Sequence, residues 1–512
     1  MNKINTSSLK QLVKAAGITA IYGAIGYILT FIFNVAVARY FGPEDYGVYS
    51  LGITILGLGV MIAGLGILVG IPRFIPLYIH EKKYNLLQGY VHFIFVTIFV
   101  SSITVGFVLW VSASYITSFF DFPESLTFFL KIIAVLVPIK MIKATMRQIF
   151  LAEKKIVYQQ FTYNVIEKLV LVIGIIFILW KSSSLEMLMI VTGLSITIPF
   201  FIDTWLYKKK IHLPQSVERE YEIKNWFYFS LPLLLTGVFS FFISWTDNLA
   251  IGKFMSAADL GVYAIAYSFA ISLDFFQKAF SAIFVPIITE KYAKKQHEEI
   301  TFLFKKTAAW GFGLTFPVFL VMAVYGKQVL SLIYGNAYEL GYLPLMIIAS
   351  GSLINVITGL NYPILMLHKK TGFIFVVEAG IVILNIALNF LLIPIIGIVG
   401  AAIASGVSLA LQNVIFLKIA MRYEKLTFDW KYNSKFVLAG VPAVLVAASL
   451  FKLHFNAIIT AIISIMVYVF LYGLFLLILR TFTEDDFEMF DAIEKKIGIN
   501  LQWIRNIVKK FY

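Results

Sequence analysis

Fourteen apolar stretches, each long enough to cross a bilayer, constrain the fold of this chain more than any other feature. A membrane-spanning helix needs about 20 mostly apolar residues, and helices satisfy their own backbone hydrogen bonds inside lipid. The stretches therefore predict an all-α polytopic membrane protein with about fourteen transmembrane helices. They lie at 16–38, 47–70, 91–112, 126–150, 163–180, 186–206, 227–252, 262–288, 307–325, 340–366, 373–394, 398–417, 436–452 and 456–479.

The composition excludes several classes of site. Charged residues make up 14% of the chain, against about 25% in a soluble domain, so lipid is its main solvent. The absence of cysteine excludes disulfides, thiolate metal sites and cysteine nucleophiles. The six histidines have no ligand spacing between them. We therefore expect no metal and no cofactor. We also expect no cleavable signal peptide, because the first apolar stretch is too long.

The positive charges follow the predicted topology. Of the 42 Lys and Arg residues, 31 fall in loops or termini assigned to the cytoplasm and six on the opposite side. This bias agrees with the positive-inside rule for an even number of spans. It predicts a multi-pass protein of the cell (cytoplasmic) membrane with both termini in the cytoplasm. The net charge of +14 is then a product of topology, and no nucleic-acid partner is expected.

Two segments repeat each other at a distance of 214 residues. Segment 34–50 matches segment 248–264 without a gap, and six of the 17 paired positions are identical. The identities include Asp45 with Asp259 and Gly47 with Gly261. Each repeat unit holds six spans, and because six is even both copies enter the membrane from the same side. Parallel repeats of this kind build transporters whose halves rock around a central site.

The repeat divides the chain into two predicted lobes, and spans thirteen and fourteen remain as an appended pair. After them, apolar residues recur at helical spacing against lysines and arginines. That pattern predicts a helix in the cytoplasmic interface, with partner docking as the alternative. The predicted parts are the N-lobe at 1–206, a cytoplasmic inter-lobe linker at 207–226, the C-lobe at 227–417, the extra helix pair at 436–480 and the tail helix at 481–512.

The repeated motif resembles a known family. Residues 38–50 read Ala-Arg-Tyr-Phe-Gly-Pro-Glu-Asp-Tyr-Gly-Val-Tyr-Ser, 252–263 echo them, and 332–338 read Leu-Ile-Tyr-Gly-Asn-Ala-Tyr as a further, weaker signal. They resemble the polysaccharide-transporter, O-antigen-type flippases of the multidrug/oligosaccharidyl-lipid/polysaccharide exporter superfamily. The resemblance implies a V-shaped, two-lobed transporter. It also implies a substrate, namely an oligosaccharide carried on a polyprenyl phosphate or pyrophosphate, and leaves the sugar open.

Three cations lie inside the fourth span. Lys140, Lys143 and Arg147 are three and four residues apart, so they share one helical face. A charged side chain at the bilayer centre costs roughly 2.5–3.5 kcal/mol on insertion scales. Three cations would therefore face an anion or water, and arginine offers bidentate geometry to phosphate. We predict that this face binds the substrate phosphate; the alternative is that the side chains snorkel to the cytoplasmic surface.

Other ionisable residues extend these predictions. Arg73 and Lys278 are further candidates for phosphate binding, and Lys278 lies one turn from Asp274, so the two alternatively form an intrahelical ion pair. An acid within a span is a candidate for binding a coupling proton or sodium ion, with a structural role as the alternative. The candidate acids are Asp274, Asp247, Glu167 and Glu378, with Asp203 as a further acid late in the sixth span.

Two basic residues hold equivalent places at the outer ends of spans one and seven. Arg39 precedes the loop with Asp45, and Lys253 precedes the loop with Asp259. We predict structural ion pairs, Arg39 with Asp45 and Lys253 with Asp259, that shape two matching turns.

Together these features favour a lipid-linked oligosaccharide flippase that works by alternating access. A cation-coupled multidrug exporter of the same superfamily is the alternative, which would favour twelve spans and acidic cavities. A membrane-embedded glycosyl- or phosphotransferase would need clustered acids on a loop, and the acid cluster at 484–486 instead begins the predicted tail helix. A channel or scaffold is a further alternative. We expect a monomeric transporter, not an enzyme, in contact with membrane lipids.

Overall fold

The computed structural model describes residues 6–181, 184–214, 218–450 and 457–483, and this part of the chain is helical without a β-strand. The helices are α1 Thr6–Gly64, α2 Ile71–His80, α3 Tyr84–Phe120, α4 Glu124–Ala152, α5 Ile156–Gln160, α6 Glu167–Lys181, α7 Leu185–Lys210, α8 Ile223–Phe254, α9 Ala257–Ala270, α10 Phe275–Ala293, α11 His297–Tyr334, α12 Tyr342–Ile357, α13 Asn361–Leu367, α14 Thr371–Ile396, α15 Ile398–Tyr423, α16 Trp430–Ser449 and α17 Ala457–Ile478.

Within the described residues, 13 helical stretches are long and apolar enough to cross a membrane. The first of them, Gly17–Gly64, has 48 residues and is two spans joined at Gly42. Gly42 has φ 78° and ψ −178°, a conformation open almost only to glycine. Pro43 follows at the first position of the second arm, where proline is favoured. With this helix counted as two, the prediction of about fourteen spans in an all-α membrane protein is confirmed.

The first turn of α3 anchors the predicted inter-lobe linker. Helix α7 ends at Lys210 and α8 begins at Ile223, so the connection between them occupies residues 211–222. Its ends bind α3: Gln88 donates from Nε2 to the Pro214 carbonyl at 2.7 Å, and the Glu220 N–H donates to the Asn85 carbonyl at 3.2 Å.

The chain forms two compact units. The amino-terminal unit comprises residues 18–264 and 382–401. In it, α4 packs against α2, α3 and α7, and α6 packs against α7. Helix α4 is therefore enclosed by other helices along much of its length, and its buried face holds leucine, isoleucine and phenylalanine side chains.

The carboxy-terminal unit comprises the described residues 6–17, 265–381, 402–450 and 457–483. Helix α11 is central in it and contacts α10, α12, α16 and α17. The predicted extra pair, α16 and α17, packs on α11 through a core that includes Phe316, Phe436 and Tyr468. Tyr468 also donates its hydroxyl to the Pro317 carbonyl at 3.2 Å. The tail helix was predicted at 481–512, and all of it after Thr483 lies outside the residues that the structure describes.

Candidate functional site: a buried charge cluster in the amino-terminal unit

The three predicted cations of α4 have different surroundings. Lys143 is 1% exposed, and its Nζ lies 2.6 Å from Oε2 of Glu167 on α6. Glu167 is itself 8% exposed, and its other oxygen lies 3.7 Å from Nζ of Lys168. The charge of Lys143 is therefore neutralised inside the protein. The sequence predicted Glu167 as an ion-coupling acid and did not indicate that it pairs with Lys143.

Lys140 and Arg147, in contrast, have no direct ion-pair partner among the described residues. Both side chains are half-buried, and within the described part of the chain neither forms a hydrogen bond or an ion pair. The guanidinium of Arg147 lies over the Tyr163 ring at 3.9 Å, and its buried Nε has no partner there. The nearby carboxylates act on these two cations only through space, Glu167 on Lys140 and Asp203 on Arg147.

Asp203 on α7 completes the cluster. It is 0% exposed, and neither carboxylate oxygen has a hydrogen-bond partner among the described residues. The Thr162 hydroxyl lies nearby but donates to the Tyr158 carbonyl at 2.9 Å. Arg147 and Lys143 are close enough to Asp203 to interact electrostatically. The cluster has a net formal charge of +2, which favours an anion electrostatically. The charged members are the cations Lys140, Lys143, Arg147 and Lys168 and the carboxylates Glu167 and Asp203.

A π-helical turn shapes this site. Residues Phe161–Ile166 form a π-helix between α5 and α6. It presents Tyr163 to Arg147 and ends directly before Glu167. Single π turns inside α-helices are rare and recur at functional sites. No pattern in the sequence indicates this turn, which is why the contact between Tyr163 and Arg147 could not be predicted.

A second polar cluster surrounds Asp247 of α8, which is 3% exposed. The Tyr263 hydroxyl donates to one carboxylate oxygen, and Asn389 of α14 donates to the other at 2.8 Å. The same Asn389 amide donates to Oδ1 of Asn385 at 3.1 Å, while its own Oδ1 is buried without a hydrogen-bond partner among the described residues. Three helices thus bring side-chain oxygens together, which is the donor set that hard cations prefer.

The other predicted residues lie elsewhere. Arg73 is exposed, and its guanidinium lies 4.3 Å from the centre of the Phe229 ring. In the carboxy-terminal unit, Asp274 accepts a hydrogen bond from Asn355 at 3.2 Å and interacts electrostatically with the exposed Lys278. Glu378 is half-buried near Tyr362. Arg73 therefore stacks on an aromatic ring of α8, and its role in phosphate binding and that of Lys278 stay predictions.

The residues predicted to form ion pairs in the two matching turns have other hydrogen-bond partners in the second turn. Lys253 donates to the Phe119 carbonyl at 2.7 Å, and Asp259 accepts a hydrogen bond from the Ser256 hydroxyl at 2.6 Å. Each therefore has a partner other than the one we predicted. Arg39 is exposed and Asp45 half-buried; ion pairing in that turn stays a prediction.

Comparison with known proteins identifies the family to which this chain belongs. Residues 36–340 match the family described as polysaccharide biosynthesis protein. The chain belongs to this family. The match covers α4, α6 and α7, so the charge cluster lies inside the matched segment, as does Asp247.

One curated relative and two solved structures show how far the likeness extends. The chain is 25% identical over 226 residues to the probable low-salt glycan biosynthesis flippase Agl15 of Haloferax volcanii, which covers 43% of this chain and 47% of that protein. The chain thus spans about half the length of this curated relative. Its fold is similar to that of the lipid II flippase MurJ in an inward closed conformation, with a TM-score of 0.71 at 16% identity over 90% of this chain and 98% of that one. An inward-facing multidrug resistance transporter of the MATE family gives a TM-score of 0.61 at 13% identity over 78% of this chain and 94% of that one. At these identities the two structures show a shared fold.

Proposed function

We propose that this protein is a flippase that moves a polyprenyl-phosphate- or pyrophosphate-linked oligosaccharide across the cytoplasmic membrane by alternating access, for surface polysaccharide or glycan assembly. The observation that carries this proposal is the net-positive cluster on α4, α6 and α7, where Lys140 and Arg147 stand without direct counter-ions. Membership of the polysaccharide biosynthesis protein family and the named flippase among its relatives support it.

The physical argument starts from the cost of these charges. A cation at the bilayer centre costs roughly 2.5–3.5 kcal/mol on insertion scales, and Glu167 compensates Lys143 directly. A phosphate group would compensate the two remaining head groups. Arginine can bind two phosphate oxygens at once, while lysine acts as a point charge. The +2 formal charge of the cluster matches a pyrophosphate diester, which carries two negative charges.

The polyprenyl tail needs no binding site of its own, because lipid solvates it as well as protein does. Only the head group must leave the cytoplasmic surface, so a polar path between two mobile halves is sufficient for transport. We propose that the protein acts as a monomer with both termini in the cytoplasm. An outside-positive potential favours outward movement of an anionic head group by about 2.3 kcal/mol per charge per 100 mV.

Ion coupling belongs to the same proposal, and Asp247 is its strongest site. Its carboxylate is buried with two asparagine side chains and a tyrosine hydroxyl. A proton or a sodium ion would neutralise it at low cost in this setting. Asp274, Glu167 and Glu378 remain weaker candidates, since Glu167 is already paired with Lys143.

The alternative is a cation-coupled multidrug exporter. The buried Asp247 and the fold shared with a MATE transporter favour it. Exporters of cationic drugs would use a carboxylate-lined cavity, whereas the amino-terminal unit holds a cluster with excess positive charge. Substrate class separates the two proposals.

The deciding experiment replaces the chromosomal gene with the doubly substituted Lys140→Ala/Arg147→Ala variant. We expect loss of surface glycan with normal amounts of protein in the membrane. Lys131→Ala is the matched control, since Lys131 is an exposed cation on the same helix. Retained glycan in the double variant would remove the cluster from the mechanism. Intact glycan in a deletion strain that loses drug resistance would favour the exporter.

A further inference from the structure

Asp203 is a buried carboxylate that the proposed transport step does not use. It is 0% exposed, and both of its oxygens lack a hydrogen-bond donor in the described part of the chain. An ionised carboxylate removed from water is costly unless charges or donors compensate it. Because of this cost, the protonation state of the Asp203 carboxylate depends on the charges around it.

Those charges come from every helix that packs on α7. Helix α4 contributes Arg147 and Lys143, and α6 contributes Glu167. The π-helical turn contributes the Thr162 hydroxyl, which is already donated to a carbonyl, and the neutral Tyr163. On α7 itself, Tyr207 follows one turn later.

Arg147 is the decisive neighbour. Lys143 and Glu167 form a 2.6 Å ion pair, so their fields on Asp203 largely cancel. Arg147 has no such partner and lies over the Tyr163 ring instead. Arg147 is therefore the cation whose charge acts on Asp203 without an ion-pair partner of its own among the described residues.

We propose that Asp203 is a proton-binding site linked to phosphate binding: a phosphate group that binds Arg147 drives one proton onto the Asp203 carboxylate. This inference rests on the proposed function, because it assumes that the cationic cluster receives the phosphate. The arriving anion offsets the positive charge of Arg147 and adds a negative charge near a carboxylate that has no hydrogen-bond donor among the described residues. The proton comes from water and binds one carboxylate oxygen, and no bond in the substrate changes.

Linkage makes the effect reciprocal. If phosphate binding takes up one proton, protonation of Asp203 strengthens phosphate binding by the same factor. Affinity then falls as pH rises, by up to about tenfold per pH unit where one linked proton titrates. Head-group binding would thus respond to pH through a residue that never touches the head group.

The test uses the purified full-length protein in lipid nanodiscs and isothermal titration calorimetry. The probe is farnesyl-diphospho-N-acetylglucosamine, a pyrophosphate diester without a titrating group in the range used. Titrations at one pH in two buffers of different ionisation enthalpy give the number of protons taken up. Titrations from about pH 5.5 to about pH 8 give the pH dependence of affinity, a range in which buried carboxylates can titrate.

For the natural protein we expect uptake approaching one proton per bound probe and affinity that weakens as pH rises. Asp203→Asn should bind the probe with little pH dependence and without proton uptake. Glu186→Gln, at an exposed acid in the first turn of the same helix α7, should behave like the natural protein. Asp203→Ser serves as a second variant if the asparagine form melts at a lower temperature.

Binding without proton uptake by the natural protein would overturn the inference while leaving the phosphate site in place. Unchanged pH dependence in Asp203→Asn would also overturn it, because another group would then carry the proton. Absence of probe binding at every pH would overturn both the inference and the phosphate role of the cluster.

Discussion

Gly47 and Gly261 lie against each other's backbone at a helix crossing inside the amino-terminal unit. A Cβ on Gly47 would lie 1.7 Å from the Ala257 carbonyl oxygen, and a Cβ on Gly261 would lie 1.9 Å from the Pro43 carbonyl oxygen. The 214-residue shift maps Gly47 onto Gly261 and Pro43 onto Ala257. The contact is therefore the same seen from either side, because each copy of the motif packs its glycine against the backbone of the other copy.

The first prediction follows from this crossing. Gly47→Ala or Gly261→Ala should lower the thermal midpoint of unfolding in detergent, because overpacking against a carbonyl group typically costs about 1–3 kcal/mol and here has little room to relax. Gly237→Ala is the control, since a Cβ there would meet nothing within 4 Å. It should be neutral or slightly stabilising through helix propensity. Equal midpoints for all three variants would mean that the crossing does not contribute to stability.

The number and type of helices were predictable because each depends on a local property, the length of an apolar run. The exact ends were not. Span one and span two merge around Gly42, where one left-handed residue takes the place of a loop. The crossing of Gly47 and Gly261 was visible only as a sequence repeat, since spacing along the chain does not show which backbones touch.

The second prediction concerns the buried ion pair. Glu167→Gln should destabilise the protein strongly, because it leaves buried Lys143 without its counter-ion, at a cost of about 3–5 kcal/mol. Lys143→Met should cost less, because Lys168 still lies 3.7 Å from Glu167. The double variant should be less destabilised than the sum of the two single variants. A double-mutant cycle of thermal midpoints measures this coupling. Additive single effects would show that the 2.6 Å contact does not stabilise the fold.

The third prediction separates geometry from charge at Arg147. Arg147→Lys keeps the charge but loses the planar guanidinium that lies over Tyr163. If phosphate is bound bidentately, this variant should lose about tenfold in transport of a lipid-linked oligosaccharide into proteoliposomes, roughly the value of one strong hydrogen bond. Lys140→Arg is the matched exchange in the opposite direction and should retain transport. Full activity of Arg147→Lys would favour a purely electrostatic role.

The site itself was only partly visible in the sequence. The shared face of Lys140, Lys143 and Arg147 follows from helical spacing alone. The partners of that face come from other helices, so Glu167 was assigned a separate role and Asp203 had no assigned neighbour. Tyr163 depends on a π turn whose hydrogen bonds carry no compositional signal. Contacts between helices that are distant in sequence decide that Lys143, and not Lys140 or Arg147, forms the ion pair with Glu167.

The fourth prediction addresses ion coupling. Asp247→Asn keeps the shape of the side chain and can still bond Tyr263 and Asn389, so the protein should fold. Transport by this variant should lose its dependence on an imposed proton or sodium gradient while head-group binding persists. Asp259→Asn, at a turn residue bonded to the Ser256 hydroxyl, is the control and should remain gradient-dependent. Gradient-driven transport by Asp247→Asn would exclude Asp247 as the coupling site.

The last prediction is a pH dependence at the start of α16. Asp429 caps this helix by accepting from the Tyr432 N–H at 2.9 Å and lies 3.0 Å from Nζ of Lys305. Burial alone would raise the pKa of Asp429, but the hydrogen bonds from Tyr432 and Lys305 and the charge of Lys305 together hold it below its usual range. A lowered folded-state pKa means that the stabilisation is complete above the ordinary pKa of aspartate and disappears as pH falls through the lowered value.

Asp429→Ala should therefore destabilise the first turn of α16 by about 1 kcal/mol at neutral pH, a typical value for a lost N-cap. Hydrogen exchange of the Tyr432 and Asn433 amides measures this locally, since both bond to Asp429. Asp429→Ser can still cap the helix without a charge, so it should keep part of the protection and lose its dependence on pH. The difference between the natural protein and the alanine variant should shrink as the buffer is acidified, because protonation removes the carboxylate from both the cap and the Lys305 pair. A difference that stays constant down to acidic pH would show that packing around Asp429, and not its charge, holds the turn.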